Sequence, residues 1–272
     1  MSFTEQPRTP REPFAALTAL VVLGLLSSGC PQWTVIGNGV EATEARPLAD
    51  FTEVSVGSFA DSNIVLGSSF DVQITCDANL LQYFRSQVVG DVLIIDHAGG
   101  WDLRANIRGG CHVDVELQSL TKLSNAGSGI MKTDDVLFGV EAISNTGSGQ
   151  VVVAGAVRPA DHLEVTNTGS GRAEVRGVDV HDLRGSQEGS GSIFLAGAVR
   201  EAVFVCDGSG QIDAEGLIAE TVNVTLNGSG DVIVYATDRI EVVLIGSGDV
   251  IVHGFPQDRD VTISGSGTVV YQ

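Results

Sequence analysis

The triplet Gly-Ser-Gly occurs eight times in this 272-residue chain, beginning at Gly127, Gly147, Gly169, Gly189, Gly208, Gly228, Gly246 and Gly265. Successive copies lie 20, 22, 20, 19, 20, 18 and 19 residues apart. A unit this short cannot bury its own apolar face, so a chain built from such units becomes stable only by stacking them. Four and six residues after the first glycine stand Val151 and Val153, Ala173 and Val175, Ile193 and Leu195, Ile212 and Ala214, Val232 and Val234, and Val250 and Val252. Alternate residues of a strand share a face, so these pairs predict inward columns that run from coil to coil. Four residues before the glycine, Leu123, Ile143, Val165, Phe204, Val224, Val242 and Val261 predict another column, interrupted by Gly185. The reading is an all-β solenoid with rungs of about 20 residues, each running strand, short connection, strand and glycine corner. The glycines suit corners that need positive φ or close backbone approach.

Two residues before the glycine the column reads Asn125, Asn145, Asn167, Gln187, Cys206, Leu226, Leu244 and Ile263. Stacked amides can satisfy one another inside a core, so the first four predict an internal ladder. Cys206 falls in the same column and reads as a small core residue rather than a reactive thiol.

A net charge of −19, with Lys122 and Lys132 the only lysines, sets the surface against phosphate backbones. Nucleic acid is therefore excluded as a partner, whereas basic proteins or divalent cations would be accepted. Hydrophobic residues make up 43% of the chain, enough apolar surface to argue against disorder.

The first thirty residues read as an export signal: Arg8 and Arg11, an apolar run from Phe14 to Leu26, then Ser27, Ser28, Gly29 and Cys30. The run is shorter than the roughly 20 residues a membrane span needs. Cys30 after small residues resembles the bacterial lipobox, although Ser27 stands where that pattern prefers leucine. The resemblance implies lipidation of Cys30, a membrane partner through that lipid, and, with Pro31 next, the outer membrane. An ordinary cleaved secretory signal and an uncleaved anchor are the alternatives. Residues 31–45 read as a tether and 46–272 as the folded domain. In an oxidising compartment Cys76 and Cys111, each beside a strand-like run, are the candidate disulfide pair.

Ahead of the repeats, Phe51–Val56, Phe70–Thr75 and Val92–Asp96 read as strands, Ala78–Phe84 as a short helical turn, and Val89-Gly90-Asp91-Val92 as a hairpin. These segments, with Asp77-Ala78-Asn79-Leu80-Leu81, Gly90–Ile95 and the Gly-Ser-Gly series, resemble the head GIN domain family, whose members are also described as adhesin heads of autotransporters. The resemblance spans residues 46–272. It implies a right-handed parallel β-helix at the bacterial envelope, and carries no catalytic residues or ligands with it.

No enzyme signature emerges from the residues. The glycine triplets open no helix and carry no lysine, so they are not phosphate loops. The serines from Ser128 to Ser266 read as a hydrogen-bonding ladder, without a His–acid pair to activate them. Asp231 and Asp249 follow two triplets and could stack as a weak cation site. His97, His112, His162, His181 and His253 lack metal-ligand spacing. Asp161, Asp179 and Asp182 lie in neighbouring connections, and their convergence would favour the rival reading, a carbohydrate-active β-helix enzyme (polysaccharide lyase or hydrolase). Five residues after the glycine, Ile233, Ile251 and Val270 predict an exposed apolar stripe, a candidate surface for self-association or partner docking. The sequence thus points to a non-enzymatic envelope scaffold or adhesion module without a cofactor, with a protein or a glycan as its ligand.

Overall fold

A computed structural model describes residues 33–99, 101–158 and 161–272. The first part comprises β1 (Trp33–Ile36), β2 (Glu41–Ala45), β3 (Glu53–Val56), β4 (Asp61–Leu66), β5 (Asp71–Asp77), β6 (Phe84–Val89), β7 (Val92–His97), β8 (Trp101–Arg104) and β9 (His112–Leu117). The hairpin at Gly90, which adopts φ +62°, joins β6 to β7, and a single 3-10 turn at Leu81–Tyr83 occupies the segment read as helical.

The repeats begin with β10 (Lys122–Asn125), β11 (Ile130–Thr133), β12 (Leu137–Phe138), β13 (Ala142–Asn145), β14 (Gln150–Val153), β15 (Val157–Arg158) and β16 (His162–Gly169). From there the sequence reading of two separate strands per rung gives way to long strands that bend without interruption. These are β17 (Arg172–Gly189), β18 (Ser192–Gly208), β19 (Gln211–Gly228) and β20 (Asp231–Gly246). The chain finishes in β21 (Asp249–His253), β22 (Asp258–Gly265) and β23 (Thr268–Tyr271). Every contact between successive coils is parallel and nearly in register, with Leu123 against Ile143, Ile143 against Val165, and Val224 against Val242. The result is a parallel β-solenoid of about seven coils.

The predicted columns form its interior. Val151, Val153, Val175, Ile193, Leu195, Ile212, Val232, Val234, Val250 and Val252 are fully buried, as are Ile143, Val165 and Phe204. The gap at Gly185 has a steric cause: a Cβ there would lie 2.8 Å from Cδ1 of Phe204, whose ring fills the space the glycine leaves. The last coil has nothing stacked beyond it among the described residues, and its inward Val261 and Ile263 are accordingly 38% and 46% exposed.

The amide ladder runs through this core. Asn125 Nδ2 donates to Asn145 Oδ1 (3.1 Å), Asn145 Nδ2 to Asn167 Oδ1 (2.7 Å) and Asn167 Nδ2 to Gln187 Oε1 (2.7 Å). Each asparagine also donates to the carbonyl of the second glycine of its own triplet, at 2.9, 3.2 and 3.0 Å. The ladder therefore ties coil to coil and strand to corner. Asn167→Leu should cost about 2–4 kcal/mol, because it strands Gln187 Oε1 in the core; urea unfolding will measure it. Replacing all four amides by leucine, as later coils already do at Leu226 and Leu244, should cost far less.

The tether assignment requires correction. Residues 33–45 include β1 and β2, which pair with β8 in parallel and β5 antiparallel. These short segments look like linker in isolation and become strands because edges of the folded domain accept them. Antiparallel pairing ends the parallel stack here, with β6 on β7 along one face, and β5 on β9 and β2 on β5 along another. This antiparallel cap is held by Asp77, which is fully buried. Its carboxylate accepts from the backbone N–H of Gly39 (2.6 Å), Asn106 (2.8 Å) and Ile107 (3.2 Å), so one side chain binds two loops. Cys76 and Cys111 are joined next to it, with Cα atoms 4.4 Å apart.

Candidate ligand-binding groove

The glycine corners build a groove on the outside of the solenoid. Gly171, Gly191, Gly210 and Gly230 line its base, and a Cβ at Gly230 would stand 2.1 Å from the Gly210 carbonyl oxygen. Any other residue would push the coils apart, so close approach explains the second glycine of each triplet. The first glycine has a different reason in the later coils: Gly169, Gly189, Gly208, Gly228, Gly246 and Gly265 all adopt positive φ. Ser148, Ser170, Ser190, Ser209 and Ser229 line one side, and Gln150, Arg172, Ser192, Gln211 and Asp231 the other, around a volume of about 400 Å³. Five coils at a strand spacing of about 4.8 Å make it roughly 19 Å long.

The serines are exposed. Only one link of the expected ladder forms among the described residues, Ser229 Oγ to Ser247 Oγ at 3.1 Å. The coil spacing exceeds hydroxyl hydrogen-bond reach unless two side chains lean together, which leaves the other hydroxyls facing solvent.

At the N-terminal end the column changes character. Asn125 pairs with Val56 and Met131 with Ser62, so Ser58, Phe59 and Ala60 occupy the places of Gly127, Ser128 and Gly129. Phe59 thus stands in the serine column. Its ring packs 5.7 Å from Phe84 and edge-on at 5.9 Å to His97. Beside it lies a cleft of about 300 Å³ bordered by Phe59, His97, Trp101, Asp102 and Ser128. Trp101 is braced by Tyr83 with ring centres 5.2 Å apart, and Asp102 Oδ2 accepts from Thr34 and Arg104. The sequence reading missed this cleft; the available signal was the loss of the triplet at the first stacked coil.

Other sequence candidates resolve as follows. Asp231 Oδ1 accepts from Asp249 N (3.1 Å), and Asp249 Oδ1 from Thr268 N (2.9 Å) and Thr268 Oγ1 (2.7 Å). Those bonds from Thr268 hold the Asp249 carboxyl below the usual carboxylate range. Asp61 Oδ1 accepts from Ile130 N in the same way (2.8 Å), so each of these three aspartates staples its own coil to the next. Asp182 pairs with His181, whose other ring nitrogen lies 3.2 Å from Arg200 Nη1. Glu41, Asp61, His112, Asp114 and Lys132 share a second groove of about 490 Å³ over β2, β5, β9, β4 and β11. No hydrogen bond or ion pair joins any two of them among the described residues. Likewise, no three His, Cys, Asp or Glu side chains among those residues are placed to hold a metal ion. Cys206 is buried in the amide column and its thiol approaches the Gly210 carbonyl at 3.5 Å. Burial, then Asp207 and Asp231, push that thiol up to about 11. Ile233 and Ile251 are half-buried neighbours on the outer face, and Val270 beside Ile251 is 41% exposed. Cys30 lies outside the described residues.

Stacked parallel coils with a capped end and a long polar corner groove define a capped parallel β-solenoid. The chain belongs to the family described as "putative auto-transporter adhesin, head GIN domain", whose model matches residues 50–256. Among solved structures, a "putative adhesin" from Parabacteroides distasonis is similar at 25% identity and a TM-score of 0.80, covering 88% of this chain and 100% of that one. A "putative lipid binding protein" from the same species is 26% identical at a TM-score of 0.77, covering 88% and 99%. A "putative adhesin" from Parabacteroides merdae shares the fold, with 23% identity, a TM-score of 0.73 and coverage of 88% and 99%. A comparison with curated proteins found no match. The family description supports an adhesion-like module of the cell envelope or surface.

Proposed function

We propose that this protein is an adhesion module tethered to the outer membrane through a lipidated Cys30, and that its solenoid presents one long side to an external ligand. The observation that carries the reading is the use made of the ionisable groups around the corners. Asp61, Asp231 and Asp249 each bind backbone of the adjacent coil, an arrangement suited to a rigid display surface and not to acid–base chemistry. Bacteria expressing the chain should be retained on a ligand-bearing surface, and Cys30→Ala should abolish both palmitate labelling and retention. Equal retention of cells with and without the protein would end the adhesion reading; unchanged labelling of Cys30→Ala would end the anchor.

Self-association at the C-terminal end forms part of the proposal. Ile233, Ile251 and Val270 make an apolar row across three coils, and the same terminal coil leaves Val261 and Ile263 unstacked. The double variant Ile233→Lys/Ile251→Lys should reduce the mass measured by light scattering from oligomer to monomer. A wild-type chain that is already monomeric at high concentration contradicts it.

A further inference from the structure

We infer that the Gly-Ser-Gly groove and the aromatic cleft at its end are one site for a neutral linear glycan, whose terminal sugar sits against Phe59, His97 and Trp101. The inference rests on the adhesion reading and names its ligand. A pyranose offers two kinds of surface, an apolar face of C–H groups and a rim of hydroxyls that both donate and accept. The protein supplies a counterpart for each. Three aromatic rings border the cleft, and Trp101 is neither fully buried nor free to swing, since Tyr83 packs on it. Ser128 and Asp102 stand at the rim of that cleft, and only Oδ2 of Asp102 is engaged by protein among the described residues. Beyond Ser128 the next serine of the column is Ser148, where the polar groove begins, so cleft and groove follow one another coil by coil. The groove continues the same chemistry with serine hydroxyls on one side and carboxamides of Gln150 and Gln211 on the other.

The charge pattern selects among polymers. Within the groove Arg172 and Asp231 are the ionic side chains, one of each sign, so it provides no cluster for an acidic or a basic chain. An acidic polysaccharide would also meet the overall charge of −19. A peptide adding itself as a strand is disfavoured for a separate reason. The glycine N–H groups along the base already bond the preceding coil, as Gly171 to Gly147 (3.2 Å) and Gly191 to Gly169 (2.9 Å), leaving no open edge along the groove.

The test uses the full chain and titrates it calorimetrically with cellohexaose and chitohexaose, and with the corresponding disaccharides. At least one hexasaccharide should bind, and more tightly than its disaccharide. Trp101→Ala should weaken binding of both lengths about tenfold or more. Ser190→Trp, which obstructs the groove and leaves the cleft intact, should erase the advantage of the hexasaccharide alone. Circular dichroism melting of each variant shows that the fold persists. Absence of heat from both hexasaccharides at millimolar concentration, or wild-type affinity in Trp101→Ala, overturns the inference. Cells that still adhere in that event keep the adhesion reading and point it to a protein ligand. Sugar binding without cell retention would leave the site standing and remove the adhesion reading.

Discussion

Alanine in place of Asp77 is expected to destabilise the N-terminal cap by about 3–5 kcal/mol. The substitution removes the acceptor for three backbone N–H groups, those of Gly39, Asn106 and Ile107, in a fully buried setting. Each orphaned donor costs about 1–3 kcal/mol, and the cavity left behind adds to it. Hydrogen exchange should therefore show faster opening of residues 33–45 and 104–110, whereas coils beyond Ile130 keep their protection, since stacked repeats transmit stability mainly to neighbours. Equal protection of the cap in both proteins would refute this assignment.

The same residue makes the cap sensitive to acid. Burial drives the Asp77 carboxyl upward, but the backbone N–H bonds from Asn106, Gly39 and Ile107 outweigh it and hold the group below its ordinary value. Its contribution is then complete above the unfolded carboxylate value of about 3.9 and is lost as pH falls through the lower folded value. Asp77→Asn keeps the shape and removes the titration. Its stability should change less than that of the wild type between neutral pH and about pH 3.

Loss of the Cys76–Cys111 link should have an effect of similar size. The bridge closes a loop of 35 residues, for which chain entropy gives about 3–4 kcal/mol. Both cysteines are buried, at 0% and 3% exposure, so reduction is expected to require partial opening of the cap. Cys76→Ala/Cys111→Ala should lower the urea midpoint of the cap by a corresponding amount. Alkylation of the denatured, unreduced domain should modify Cys206 alone among Cys76, Cys111 and Cys206. Three modified positions, or a midpoint unchanged in the double variant, would contradict the bridge.

Cap and repeats differ in how far they can be read from residues alone. Leu123, Ile143 and Val165 announce a column because equivalent positions return every coil, and parallel stacking preserves the period. Asn125, Asn145, Asn167 and Gln187 announce a ladder for the same reason. The cap has no copies. Nothing near Glu41–Ala45 in sequence indicates that β5 will accept it as a partner, and Asp77 meets Asn106, 29 positions further along the chain. The serine ladder shows the converse limit: period placed the hydroxyls in one column, and the coil spacing then kept most of them apart.

What the chain determined by itself is the solenoid: eight glycine corners at even spacing, aliphatic residues at fixed offsets from them, and an amide column between, all set by local strand alternation and repeated stacking. What only the tertiary structure decided is how that solenoid begins and what its outer surface offers. The burial of Asp77, the strands formed by residues 33–45, and the arrival of Phe59 in the serine column beside His97 and Trp101 depend on contacts between segments far apart in sequence. Such contacts leave no period to read, because each is made once.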